Sequence, residues 1–254
     1  MSSQPEPVAA PAAHTGSFPT THWSVVLNAN AESATASRAA LETLCRQYWY
    51  PIYSYVRRTG RPHHEAEDCT QEFFARLLAS EGIARADPQR GRFRSFLLTA
   101  LRHFLTDEWA KAQTAKRGGG RVPLSLDFAT AEERFRLEPA DPALTPDQAF
   151  DRSWVRGLVD RVLADLSDEY ARSGRGPLFT ALAPLLWERP TTEALAERAA
   201  QLAMTVHALT MALHRLRRRL GDCLRDAVAE TVAEADEVDG ELRHLIGALS
   251  SSPG

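Results

Sequence analysis

No stretch of the sequence approaches the ~20 consecutive apolar residues that a membrane-spanning helix requires, so no membrane partner is expected. Cysteine is also scarce: Cys45, Cys69 and Cys223 are odd in number and far apart. That spacing offers no disulfide framework, no CxxC pair and no zinc-ligand set. Free thiols in a reducing cytoplasm suit it better, with Cys45 and Cys69 on apolar helix faces. The N-terminal string MSSQPEPVAAPAAHTGS lacks the basic start and apolar run of a secretory signal. Rich in Pro, Ala and Ser, residues 1–20 read as a disordered tail. A cytoplasmic protein is the expectation. The formal net charge of −3 says little about partners; its uneven distribution says more.

Between Arg85 and Arg121 stand nine basic residues against three acids. Within this stretch Phe93, Phe96, Leu97, Leu101, Phe104, Leu105 and Trp109 fall on one face of a helix. Trp109 closes that apolar series and reads as core before it reads as a stacking surface. The opposite face carries Arg94, Arg102, His103, Thr106 and Lys111, with Lys116 and Arg117 just behind. An apolar face backing a concentrated positive one fits a helix lying on a polyanion. The competing reading is a solvated basic face on an ordinary core helix.

Two further helices precede it. The first spans about Ala39 to Arg58, with Pro51 inside it as a kink or break. Its aromatic cluster of Tyr48, Trp49, Tyr50, Tyr53 and Tyr55 reads as packing. The second runs from about His63 to Ala79, with Ala66, Cys69, Phe73 and Leu77 inward and Asp68, Gln71 and Glu72 facing elsewhere. Residues 21–117 thus make one helical bundle. Gly118 to Gly120 and four prolines mark residues 118–150 as a flexible linker, with one short turn around Ala131 to Leu137.

Residues 151–225 form a second helical unit. A short helix, Glu193 to Gln201, leads through Leu202-Ala203-Met204-Thr205 into a longer one starting near Val206, with Thr205 as N-cap. Val206, Leu209, Leu213, Leu216 and Leu220 line one side. His207, Thr210, His214, Arg215, Arg217, Arg218 and Arg219 lie elsewhere. Short helix, tight turn and longer basic helix is the layout of a helix-turn-helix; an antiparallel core hairpin with a charged end is the plainer alternative. From Asp226 the chain turns acidic. Residues 226–254 form an amphipathic tail with Gly240 as a break, expected to pack on the second unit, to contact a partner protein, or to cover the unit's arginines. The fold expected is all-α, two small helical domains on a flexible linker.

Two such units on a linker resemble a bacterial sigma factor of the sigma-70 family, extracytoplasmic-function group. AEDCTQEFF resembles its region 2.2 string EDxxQExF. RFRSFLLTALRHFLTDEW resembles regions 2.3 and 2.4, and ERAAQLAMTVHALTMALHRLRRRL resembles region 4.2. THWSVVL and YWYPIYSYVRR also stand where that group has similar strings. The departures are specific. The turn is Leu202-Ala203-Met204-Thr205 where Leu-Gly-Met-Ser is usual. Thr210 replaces a common Lys, His207 a small residue, and His103 an Asn.

The resemblance implies a binding module without catalytic residues or cofactor. Its partners would be core RNA polymerase, through the β′ coiled coil and the β flap, promoter DNA, and an anti-sigma factor or other regulator. Asp68, Gln71 and Glu72, with Phe74 at the margin, would meet the polymerase. Arg94, Arg102, His103, Thr106 and Lys111 would open and hold the −10 element, with Lys116 and Arg117 clamping phosphates. Thr205, His207 and Thr210 would reach base edges of the −35 duplex, while His214, Arg215, Arg217, Arg218 and Arg219 hold phosphates. One rival is a helix-turn-helix regulator working without polymerase, which leaves Asp68 to Phe74 idle. Another is a metal-dependent hydrolase built on His63, His64, Glu65, Glu67 and Asp68. Helical spacing brings together only His64 with Asp68, or His63 with Glu67, and no second ligand set follows.

Overall fold

A computed structural model describes residues 34–79, 93–112, 127–138, 144–229, 231–232 and 234–250. The protein is all-α: among the described residues there are nine α-helices, two 3-10 turns and no strand. The helices are α1 Ala34–Arg58, α2 His63–Ala79, α3 Phe93–Ala112, α4 Phe128–Leu137 and α5 Pro146–Arg172. They continue with α6 Gly176–Leu182, α7 Thr192–Gln201, α8 Val206–Ala229 and α9 Val238–Ser250. α1 continues helical through Pro51, and α9 continues through Gly240.

Two apolar cores form, and one helix belongs to both. In the first, Tyr48 of α1 meets Phe93 of α3 edge-on at 5.5 Å and stacks on Trp154 of α5 at 6.4 Å. The aromatics of α1 are therefore packing residues, as their helical spacing predicts. Phe73, Phe74 and Leu77 of α2 and Leu97, Leu101 and Phe104 of α3 complete this core. Val162, Leu166 and Tyr170 of α5 instead enter the second core, with Phe179, Leu182, Leu209, Leu213, Leu216 and Leu220. α5 is 27 residues long, roughly 40 Å at 1.5 Å per residue. Its start is fixed by a capping box. The Thr145 hydroxyl accepts from the Gln148 N–H, and Gln148 accepts from the Thr145 N–H, with Pro146 in the first turn.

Two segments differ from the sequence expectation. Residues 118–150 contain α4, which packs Phe128 and Ala131 into the first core. Residues 226–254 contain α9, whose Val238 and Leu245 are buried in that same core rather than in the second one. The apolar spacing of Val238, Leu242 and Leu245 gave α9 a face, and the exposed side of α5 and α8 supplied its cover.

Candidate nucleic-acid and polymerase interface

α2 and α3 lie side by side and are joined through Arg76. Its guanidinium bonds Glu72 at 2.9 Å on its own helix and Glu108 at 2.5 Å on α3, and lies 5.0 Å over the Phe104 ring. Asp68 is exposed, and Gln71 and Glu72 are half-buried beside it. These three form the outward acidic and polar edge expected of α2. Phe74 does not belong with them. It is buried against Phe73 at 5.7 Å, because its position in the helical period turns it inward.

On α3 the exposed residues include Arg102, His103 and Thr106. Arg102 pairs with Asp147 in the first turn of α5, and the Thr106 hydroxyl donates to the Arg102 carbonyl at 2.9 Å. Arg94 is a correction to the sequence reading. It is 4 % exposed and held by Asp151 of α5 and Glu241 of α9, with 3.1 Å to the latter. A guanidinium caught between two carboxylates inside the molecule is not presented to a strand. Lys111 lies in α3, while Lys116 and Arg117 fall outside the described residues.

In the second unit α7 leads through a short turn into the longer α8. α7 is capped by Thr191 and tied to α6 by Arg198, which donates to the Ala181 carbonyl at 3.2 Å. The turn is closed by two backbone bonds, Met204 N–H to Ala199 O at 2.9 Å and Ala203 N–H to Ala200 O at 3.1 Å. Ala203 takes φ +50 to do so. Thr205 caps α8, accepting from the Ala208 N–H at 3.1 Å. His207, Thr210, His214, Arg215 and Arg218 are exposed along one side of α8. Arg217 and Arg219 are drawn inward. Arg217 donates to the carbonyls of Leu185 at 2.6 Å, Leu186 at 3.2 Å and Glu188, pinning the loop before α7. Arg219 pairs with Glu169 of α5 at 3.1 Å.

Residues 44–115 match the family model Sigma-70 region 2. The match begins within α1, takes in α2 and runs just past α3, less than a third of the chain. No curated protein and no solved structure matches the chain. A region 2 segment implies contact with core RNA polymerase and promoter DNA, and that gives the exposed sides of α2 and α3 their interest.

One residue of the region 2 segment was misplaced by periodicity alone. Trp109 is 67 % exposed, not core. It lies seven residues beyond Arg102 and three beyond Thr106, so the three share a side of α3 two turns long. The signal was available: seventeen residues into the helix, the 3.6-residue period has drifted enough to carry a nominal apolar position out of the core. His63 has a different duty from metal binding. Its Nδ1 lies 2.7 Å from the Tyr53 hydroxyl and 3.7 Å from Glu132, and among the described residues no three metal-ligating side chains converge.

Proposed function

We propose that the chain is a sigma factor of the extracytoplasmic-function type. It binds core RNA polymerase and directs it to promoters through a −10 and a −35 contact. The observation that carries this is the region 2 match coinciding with α1 to α3, whose outward residues are the ones the task needs. Asp68, Gln71 and Glu72 offer an acidic edge for the polymerase β′ coiled coil. Arg102, His103, Thr106 and Trp109, with Lys111, offer charge and a stacking surface for an exposed strand. Lys116 and Arg117 would hold phosphates beyond the helix. Arg102 leaves Asp147 to do so at little cost, since the pair is about half exposed and such pairs contribute about 0–1 kcal/mol. The second unit supports −35 reading by its helix-turn-helix layout, with His207 at base edges and Arg215 and Arg218 on phosphates. No bond is made or broken; the work is docking, strand capture and duplex recognition.

The test is charge reversal. Asp68→Lys with Glu72→Lys should weaken binding to core polymerase at least tenfold while leaving the thermal transition within a few degrees. The fold cost is modest because the Glu72–Arg76 pair is partly exposed and Arg76 keeps Glu108, so the lost i, i+4 pair is worth about 0.3–0.5 kcal/mol. Unchanged affinity for core in a titration would remove the docking role of α2. A chain that shifts duplex DNA but never co-purifies with core polymerase would instead be a helix-turn-helix regulator.

A further inference from the structure

The outward side of α8 is not uniformly polar. Met211, in the second turn, is 44 % exposed, while Leu209, Leu213 and Leu216 fill the core behind it. The hydroxyls on this side are engaged at home. Thr205 accepts from Ala208 N–H at 3.1 Å, and Thr210 donates to the Val206 carbonyl at 2.9 Å. An isolated exposed methionine needs no explanation. This one lies a turn beyond His207 and one or two turns before His214, Arg215 and Arg218, all exposed. The basic groups at the far end suit phosphates, so the first turns are the part that reaches base edges when such a helix enters a major groove. Of the groups that base pairs display there, the thymine C5-methyl is the apolar one.

We infer that Met211 reads a thymine methyl group, so that the second unit selects a thymine-bearing duplex by apolar contact. The inference rests on the −35 reading above. It adds to sequence selection a residue other than Thr205, His207 and Thr210, which the helix-turn-helix pattern puts first.

The experiment uses the full chain and a pool of random duplexes at one fixed salt concentration. Each thymine of the enriched site is then replaced singly by deoxyuridine, which lacks only the methyl group. Affinity should fall about fourfold at one or two positions, the worth of one buried methyl. Met211→Ala should abolish the thymine–uridine difference at one of them, and Met211→Leu, still apolar, should keep it. Arg218→Ala should weaken thymine and uridine duplexes alike. Equal affinity of the wild-type chain for both, or a thymine preference that survives Met211→Ala, overturns the inference; enrichment of a defined duplex would leave the −35 reading intact. Enrichment of no duplex overturns both.

Discussion

Ala203 and Gly174 solve the same problem with different residues. Each follows a helix and closes it with a six-to-one and a five-to-two backbone bond. At Gly174 these are Arg175 N–H to Tyr170 O at 2.8 Å and Gly174 N–H to Ala171 O at 3.0 Å, with φ +71. At Ala203 the same pair forms at φ +50, where a Cβ crowds the following carbonyl at a cost of roughly 1–2 kcal/mol. The turn between α7 and α8 is therefore built on a strained residue. Ala203→Gly should raise stability by about 0.5–1 kcal/mol, the strain relief less the extra freedom glycine gives the unfolded chain. Gly174→Ala should lower it by about 1 kcal/mol, through backbone strain alone, since no atom beyond its own residue and chain neighbours lies within 4 Å of a Cβ built there. Denaturant midpoints of the two variants would show opposite signs. Two shifts in the same direction would mean that the shared cap geometry does not control either site.

Among the elements, α4 shows what sequence can and cannot reveal. Its apolar spacing, Phe128, Ala131 and Phe135, was present but short, and the glycines and prolines around it argued for a linker. What holds it is polar and non-local. Glu132 accepts from the Tyr53 hydroxyl at 2.6 Å, from Arg57 through Nε and Nη2 at 3.0 and 3.1 Å, and from Arg136 at 3.1 Å. Tyr50 donates to Glu138 at 2.8 Å, and Arg57 lies 4.7 Å over Phe135. Pairings 75 to 88 residues apart leave no local pattern, whereas α2, α3 and α7 were legible because their faces repeat every 3.6 residues. The same rule explains the site residues. Asp68, Arg102 and His207 were placed outward by periodicity, but the inward turn of Arg94 depended on carboxylates 57 and 147 residues away.

The Glu132 network makes a pH prediction. Burial by itself would raise this carboxyl, but the hydrogen bonds from Tyr53, Arg57 and Arg136 outweigh it and bring the pKa down to about 2. A carboxylate lowered on folding stabilises above its unfolded value near 4.3 and loses that contribution as pH falls towards 2. Glu132→Gln should cost about 1–3 kcal/mol at neutral pH, since Arg57 keeps only a neutral acceptor. The gap between wild type and variant should close as pH drops from about 4.5 to 2. A gap that stays constant over that range would show that the carboxylate charge is not what holds α4 to α1.

At the scale of the molecule, α5 and α9 make the two cores one object. α5 enters both, and α9 lies against α5 and α8 while its buried Val238 and Leu245 belong to the first core. The junction is charged as well as apolar. Arg94 of α3 meets Asp151 of α5 and Glu241 of α9, Glu241 is 1 % exposed, and His244 lies 3.0 Å from Asp151. On the outer side Asp239 pairs with Arg225. Glu241 thus closes onto Arg94 and Asp239 onto Arg225, and the first of these ties α9 to the region 2 segment. Removing one partner of such a buried cluster leaves the others uncompensated, which costs about 3–5 kcal/mol, whereas replacing partners together by apolar residues costs far less. Glu241→Met alone and Arg94→Met alone should each be strongly destabilising. The double variant should be less destabilised than their sum by at least ~1 kcal/mol, within the coupling range of contacting residues. Asp151 retains His244 in that variant, so the cluster is not left with a bare carboxylate. Denaturant unfolding of the four chains gives the coupling directly. Strict additivity would mean that α9 is held by its apolar contacts, and that the charged junction does not join the tail to the region 2 segment.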